Sequence, residues 1–432
     1  MSAEPVALLT VRATPAVRLA IAFAGTALSG CTDAPSSTAS VADSAGVRIV
    51  THAPGAVASA PEWTLSDRAV TVIGGGADPE QPLYRVTAVQ PLPGGRVVVG
   101  TNTPARALVF DADGSLAATL GRQGDGPGEF HQVGSVVRIG EDSLGVWDRN
   151  RRRLSVFTVD GGYARELDLG GIAPLSPEAA PSTRVTAAHT HLLPLPDRSL
   201  VLFATGVWGF DETEPSIVRM ELPSHRIDAD GSTRATYPAQ PGMELYTLGP
   251  IPYPFGAGTY AATSADALVV GTADSPEVRF YAADGALAQI VRWEDADRTV
   301  AGSPLLAEFH GWLDEQIAKR EPAAQTFFRE RFEAMPLPER FPAYGGIVSD
   351  ASSSEIWVGE YPGQLGLMGM SRETRPMPAR EWLVFGTAGD LVATVETPER
   401  FEPYAVHDDL VWGVFKDELE VESVRAHAIM KR

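Results

Sequence analysis

Arg106, Phe110, Asp113 and Gly114 recur 47 positions later as Arg153, Phe157, Asp160 and Gly161, and Val86 recurs at the same spacing as Val133. Between these marks the chain reads as short apolar runs, such as Arg96-Val97-Val98-Val99 and Ala107-Leu108-Val109-Phe110, separated by Gly, Pro and Asp. Runs of this length between turn residues are strands, and helical periodicity is scarce outside one segment. Four strands fit each of the first two units, at 85–92, 96–102, 105–112 and 116–121, then at 135–140, 143–149, 153–159 and 163–169. Looser units follow at 189–239, 259–294, 345–399 and 404–430, and the last lacks an outer strand. A fixed period of this size is that of a propeller blade, whose apolar faces are buried only by stacking on the next copy.

Val72-Ile73-Gly74 near the N-terminus parallels Thr119-Leu120-Gly121, the end of a fourth strand. It is expected to complete the last unit and so remove the exposed edges of an open array. The expected fold is all-β, a six-bladed β-propeller with its N-terminal strand closing the last blade. Residues 297–342 interrupt the pattern. Ser303-Pro304 reads as a helix start, with Leu306, Phe309, Leu313 and Ile317 on one face, and Glu321-Pro322 as a second start leading to Phe328 and Phe332. This inserted helical hairpin is expected to cover one end of the propeller, as packing or as half of a cleft.

The N-terminal region has a different character. Arg12 and Arg18 precede an apolar run over 19–27, and Leu28-Ser29-Gly30 leads to Cys31, the single cysteine of the chain. This is the pattern of a bacterial lipoprotein signal peptide over 1–30, with Cys31 as the lipidated first residue of the mature protein. The apolar run is shorter than the ~20 residues a membrane-spanning helix needs. Residues 31–46, rich in Ser, Thr, Ala and Asp, read as a flexible tether, leaving 47–432 for the propeller. With no second cysteine there is no disulfide, so packing must hold the fold.

The 432 residues carry 35 basic and 55 acidic side chains, a net charge of −20. That balance excludes nucleic acid as the expected partner and disfavours adhesion to anionic headgroups by charge. The expectation is a monomer in the cell envelope, held at the periplasmic face or the cell surface through Cys31.

Several strings invite chemistry. The glycine-rich run from Gly121 to Phe130 lacks the Gly-Lys-Ser/Thr of a phosphate loop and reads as a structural turn in which Phe130 wedges between blades. Asp111-Ala112-Asp113-Gly114 and Asp228-Ala229-Asp230-Gly231 lack the later oxygen ligands of a calcium loop and read as hairpin turns. Arg149, Arg151, Arg152 and Arg153 read as a solvated turn with one structural arginine. His189-Thr190-His191 is the strongest candidate for metal or substrate chemistry, because residues two apart on a strand share a face. His407-Asp408 and Asp350 fall near innermost strands as well. No Gly-x-Ser-x-Gly elbow or His-Glu-x-x-His helix is present.

Asp148, Arg153-Leu154 and Val156-Phe157 resemble the repeat of the NHL-type six-bladed β-propeller family, with Asn150 one place early. The glycine string is similar to the inter-blade loop of bacterial six-bladed propeller lipoproteins of unknown activity. The resemblance covers 86–169 sharply and the rest weakly. It implies the fold and a range of activities: protein, peptide or glycan binding and, in some relatives, metal-assisted lyase chemistry on channel histidines and acids. The expectation is a binding or scaffold module for a protein, peptide or glycan, with no cofactor. The alternative is a metal-assisted lyase or hydrolase whose central channel holds a divalent metal on His189, His191 and His407.

Overall fold

A computed structural model describes residues 39–75, 82–172, 187–208, 216–246, 251–294, 296–363 and 376–431. The expected signal peptide, Cys31 and the first part of the tether lie outside the described residues. The described residues are mostly β-structure, with two α-helices among them. Sheet 1 is an antiparallel meander of Val86–Pro91, Val97–Asn102, Ala105–Phe110 and Leu116–Leu120. Sheet 2 repeats it with Val133–Arg138, Ser143–Asp148, Arg153–Thr158 and Tyr163–Asp168. Sheet 3 comprises Ala187–Pro194, Leu200–Trp208, Glu221–Ile227 and Thr233–Pro241, and sheet 4 comprises Tyr260–Ser264, Ala267–Gly271, Glu277–Tyr281 and Leu287–Arg292. Gly346–Ser349, Ile356–Gly359, Arg380–Phe385 and Leu391–Thr397 make sheet 5; Phe401–His407, Leu410–Lys416 and Glu422–Met430 make sheet 6.

Alternation within the strands explains the stacking. Val98 points from sheet 1 into a core with Phe130, Val136 and Val146 of sheet 2 and its approach. Its neighbours Val97 and Val99 point the other way, to Trp412 and Val424 of sheet 6. An unbroken apolar run is what a strand buried on both faces requires, and each valine so buried contributes about 1.5–3 kcal/mol. Further cores join sheets 2 and 3 through Trp147 and Leu202, and sheets 3 and 4 through Phe203 and Val270. Others join sheets 4 and 5 through Phe280 and Phe385, and sheets 5 and 6 through Trp382 and Phe401. The first strand of each sheet touches that of the next, and the first strand of sheet 6 touches that of sheet 1.

The N-terminal segment runs along the outer edges. Thr71–Gly74 pairs antiparallel with Glu422–Met430, giving sheet 6 its fourth strand, with Ile73 in the core shared with sheet 1. Glu62–Leu65 lies between Leu391–Thr397 and Glu422–Met430, with Trp63 buried between sheets 5 and 6. The last part of the segment 31–46, expected to be a tether, is paired strand instead. Ala39–Ser44 is a strand paired with Val47–His52, which adds parallel to the edge of sheet 4. The turn between them has Ala45 at φ 54° and Gly46 at φ 84°, the paired left-handed conformation of a two-residue hairpin turn. Backbone pairing carries this strand, so its small polar composition gives no apolar signal.

The glycine string serves the joint between sheets 1 and 2. Arg122–Gln123 pairs parallel with Glu129–Phe130, and Phe130 is buried between the sheets. Gly121, at φ 65°, leaves no room for a side chain, since a Cβ would stand 2.4 Å from the Phe130 ring.

Helix α1, Pro304–Ala318, is capped by Ser303, whose Oγ accepts from the Leu306 N–H at 3.1 Å. Its buried Phe309, Leu313 and Ile317 meet Phe332 from α2, Pro322–Glu333, over Tyr246, Tyr253 and Phe255.

Candidate functional site

The first strands of all six sheets line one axial cavity of about 430 Å³. Its walls are mostly small, aliphatic or neutral polar, from Thr87, Gly134, Leu192, Thr263, Ser349 and Ala405 among others. His191, Asp350 and His407 also line it, so three of the residues singled out from sequence share one space. His189 falls on the strand Ala187–Pro194, and its side chain lies outside the described residues.

At the end where the first strands finish, the polar groups engage one another. Asp350, 3% exposed, accepts from the Ser352 N–H at 2.7 Å and from the Ser352 hydroxyl, whose Oγ accepts from the Asp408 N–H at 3.1 Å. His407 Nε2 stands 3.4 Å from Asp408 Oδ2, its side chain 22% exposed and its buried Nδ1 without a hydrogen-bond partner. Asp350 is thus occupied in a turn. Among the described residues, no group of three or more His, Cys, Asp or Glu side chains stands close enough to hold a metal ion. His191 and His407 remain two donors in one cavity.

The opposite end holds a constellation that sequence reading did not find. Glu402 and His407 sit near opposite ends of Phe401–His407, roughly 16 Å apart along an extended strand. Arg380, 1% exposed, reaches inward from the third strand of sheet 5 and places Nη1 3.3 Å from both Glu402 oxygens. Its Nε donates to Glu360 O at 3.1 Å, and its guanidinium lies 4.6 Å from the Trp382 ring. Gly359 makes room for it, because a Cβ there would stand 2.7 Å from Nη2, which has no acceptor. Glu402 keeps 36% of its side chain accessible, yet burial pushes its carboxyl up against the opposing pull of Arg380 and Lys416. A carboxylate that is partly accessible and still poorly solvated has these properties. Burial likewise raises the phenols of Tyr260, Tyr361 and Tyr404, and Tyr404 donates to Val86 O at 3.3 Å. Tyr361 packs on Phe341 and the hairpin core, so this end is the one flanked by the helices.

One signal for this pair was available. Arg380, Trp382 and Val384 share a strand face, so the core alternation puts a cation where an apolar residue belongs. Its partner lies in another sheet and leaves no mark at fixed spacing.

The arginine run also differs from expectation. Two members, not one, are structural: Arg151 donates to Asp125 O at 2.7 Å, and Arg153 pairs with Glu166 at 2.8 Å. Both Asp-x-Asp-Gly strings are turns in which the second Asp accepts from a following serine, Asp113 from Ser115 and Asp230 from Ser232.

No protein-family model matches the chain, and no curated protein matches it. Among solved structures, a DUF4221-family member from Bacteroides vulgatus is 13% identical, with a TM-score of 0.43 over 86% of this chain and 99% of that one. Virginiamycin B lyase from Staphylococcus aureus, in a catalytically inactive form with quinupristin, is 11% identical, with a TM-score of 0.40 over 85% and 99%. Regucalcin, a calcium-binding protein from Agrobacterium tumefaciens, is 10% identical, with a TM-score of 0.41 over 86% and 97%. No described helix is long and apolar enough to cross a membrane.

Proposed function

We propose that this protein is a lipid-anchored module of the cell envelope, closed as a six-bladed β-propeller of the NHL type, that binds a segment of protein, peptide or glycan in its axial cavity. The ligand enters at the mouth beside the helical hairpin. The observation that carries this reading is the cavity of about 430 Å³ lined by the first strands of six sheets, with mostly neutral walls and Arg138 and Asp350 as the charged exceptions. Mostly neutral walls give shape and hydrogen bonds, which suits binding better than group transfer.

The test uses the mature chain made soluble by Cys31→Ser. That variant is expected to leave the membrane fraction folded; retention in the membrane with the leader removed would overturn the anchor. Peptide and glycan arrays are then probed with this chain and with Ala405→Trp, which fills the cavity from the first strand of sheet 6. Binding of one probe class that Ala405→Trp abolishes is the expected result, and binding indifferent to it would refute the site.

His191 and His407 in the same cavity motivate the metal-dependent lyase or hydrolase as a second reading. A stoichiometric divalent ion in the purified chain, lost on His191→Ala, would establish it in place of the first.

A further inference from the structure

We infer that a second pocket, where the base of the helical hairpin meets the rims of sheets 4 and 5, takes a lysine or arginine side chain of a basic peptide segment, whose further cations lie along an acidic row on sheet 5. This site is separate from the axial cavity and does not depend on it.

The pocket has a volume of about 260 Å³. Trp293, Phe341 and Tyr361 supply aromatic walls, with Pro276, Pro342 and Leu305 of α1 beside them. Other rings hold these in place. Trp293 stands 5.3 Å from Phe385 and 5.8 Å from Tyr344. Phe341 stands 5.0 Å from Phe255 at 89°, and Tyr361 stacks on Phe341 at 6.1 Å and 25°. Trp293, Phe341 and Tyr361 are each only partly buried, which leaves ring surface for a ligand. A cation within ~6 Å of such ring faces is attracted by their quadrupole.

Charge on the walls decides the sign of the occupant. Glu294, Asp297 and Glu360 line the pocket together with Arg298, which is 8% exposed and donates to the carbonyls of Phe341 and Asp274. Two of these carboxylates have partners: Glu294 accepts from the Gly55 N–H at 2.7 Å, and Asp297 from the Thr299 N–H at 3.0 Å, with Arg340 near enough to draw its pKa down further. The Glu360 carboxylate forms no hydrogen bond or ion pair among the described residues.

Glu360 also begins a row. Ile356 and Val358 face the core shared with sheet 4, and strand alternation puts Glu360 on the same face. Its N–H donates to Glu381 O at 2.9 Å on the next strand, and Glu381 stands directly opposite Glu396 on the one after. Glu62 follows on a fourth strand, opposite Thr394. Directly opposite side chains have Cβ atoms about 5 Å apart, and like charges so placed are destabilising. All four glutamates are exposed, and among the described residues none has an ion-pair partner. Burial, then the charges of Glu360, Glu396 and Glu62, push the Glu381 carboxyl up. Three spacings of about 4.8 Å carry the row roughly 14 Å from the pocket. A single small cation would fill the pocket and leave that row unmatched, whereas a segment with several cations matches both.

Fluorescence anisotropy of a labelled tetralysine peptide, titrated with the soluble mature chain at physiological salt, tests this. Saturable binding is expected, and acetylation of the lysines should abolish it. Trp293→Leu should weaken it about fivefold by removing one ring face, and Glu360→Gln with Glu381→Gln about fivefold by removing two rim charges. Glu141→Gln with Asp142→Asn takes the same charge from an exposed turn of sheet 2 and should change nothing. An equal loss from that distant pair would show bulk attraction to a chain of net charge −20 and overturn the inference. Absence of saturable binding, or binding indifferent to Trp293→Leu, would overturn it as well. Choline is the small-cation arm: choline binding that Trp293→Leu removes, beside tetralysine binding that it does not, would assign the pocket to a free cation instead. Circular dichroism establishes that each variant is folded. Should Trp293→Leu unfold, Glu360→Lys at an exposed position must abolish binding, and retention there refutes the site. Ala405→Trp in the axial cavity should leave tetralysine binding intact, so either site can fail without the other.

Discussion

Replacing Asp148 by alanine should cost this protein about 3–5 kcal/mol, and the structure shows where that figure comes from. Its carboxylate is 1% exposed and accepts from the His131 N–H at 2.6 Å, Asn150 at 3.0 Å, Arg151 at 3.2 Å and Gln132 at 3.3 Å. Four backbone donors from two loops thus converge on one anion, tying the approach to sheet 2 to the turn that leaves its second strand. A hydrogen bond to a charged group contributes about 1.5–3 kcal/mol, so the simple sum would exceed 6 kcal/mol. The two longest contacts are weak, and water can reach partly buried N–H groups once the carboxylate is gone, which brings the loss to about half that sum. Asp148→Asn should cost about 2–3 kcal/mol, since the amide must aim its NH2 at a donor on one side. Urea unfolding followed by tryptophan fluorescence reads both variants, with the slope compared to ensure that the same transition is measured. Buried Trp147 is adjacent and reports locally. A result within 0.5 kcal/mol of wild type for either variant, on the same scale, would refute the assignment of Asp148 as the clamp of this joint.

The Asp197 carboxyl is held at about 2 by the Ser199 hydroxyl and N–H and by Arg226. A pKa lowered by folding gives stability that is complete above pH ~4 and lost as pH falls toward 2. With Asp197 43% exposed, screening reduces this to roughly 1 kcal/mol; Asp197→Asn should flatten the acid limb of stability between those pH values, and an unchanged limb would count against it. Glu402→Ala should destabilise by about 2–4 kcal/mol by stranding the buried Arg380 charge, and Glu402→Gln with Arg380→Met should recover most of that, as a thermal-unfolding cycle will show. If Glu402→Ala is neutral, the pair is not an internal ion pair. Among the described residues, removing 1–46 takes away the largely exposed strand Ala39–Ser44 and its turn, and the deletion should change stability by less than about 1 kcal/mol. Removing 1–75 strips the outer pairing of sheets 4, 5 and 6 and should yield aggregated protein, read by size-exclusion chromatography.

The scaffold was legible in sequence because its constraints are local and repeated. Val97-Val98-Val99 needs two buried faces, Gly121 needs a left-handed turn beside Phe130, and Ser303 needs only the N–H three residues on. Each of those demands is written within a few positions of the residue that meets it. The site was less legible because its groups meet across sheets. His191 and His407 could be placed on innermost strands, and they do line one cavity, yet Asp350 is spent on Ser352, two residues away, which spacing alone does not reveal. Arg380 and Glu402 meet only because Gly359 lets a long side chain cross its strand. The strand Ala39–Ser44 escaped notice for another reason: it is held by backbone pairing, which any polar sequence can supply.

Charges at both ends of the innermost strands have internal partners. Where the first strands finish, the carboxylates have internal claims on them: Asp350 from Ser352, Asp408 from His407, and Asp409 from Lys431 at 2.8 Å. Where they begin, Arg380 stands against Glu402, Lys416 against Glu422 at 3.4 Å, and Arg149 beside the buried carboxylate of Asp148. Between them the cavity wall is mostly neutral, so recognition there rests on shape and hydrogen bonds, which added salt does not screen. A ligand held by that wall should therefore bind equally well at low and at high ionic strength in a calorimetric titration, and an affinity that falls steeply with salt would show that a charge outside the wall carries the binding.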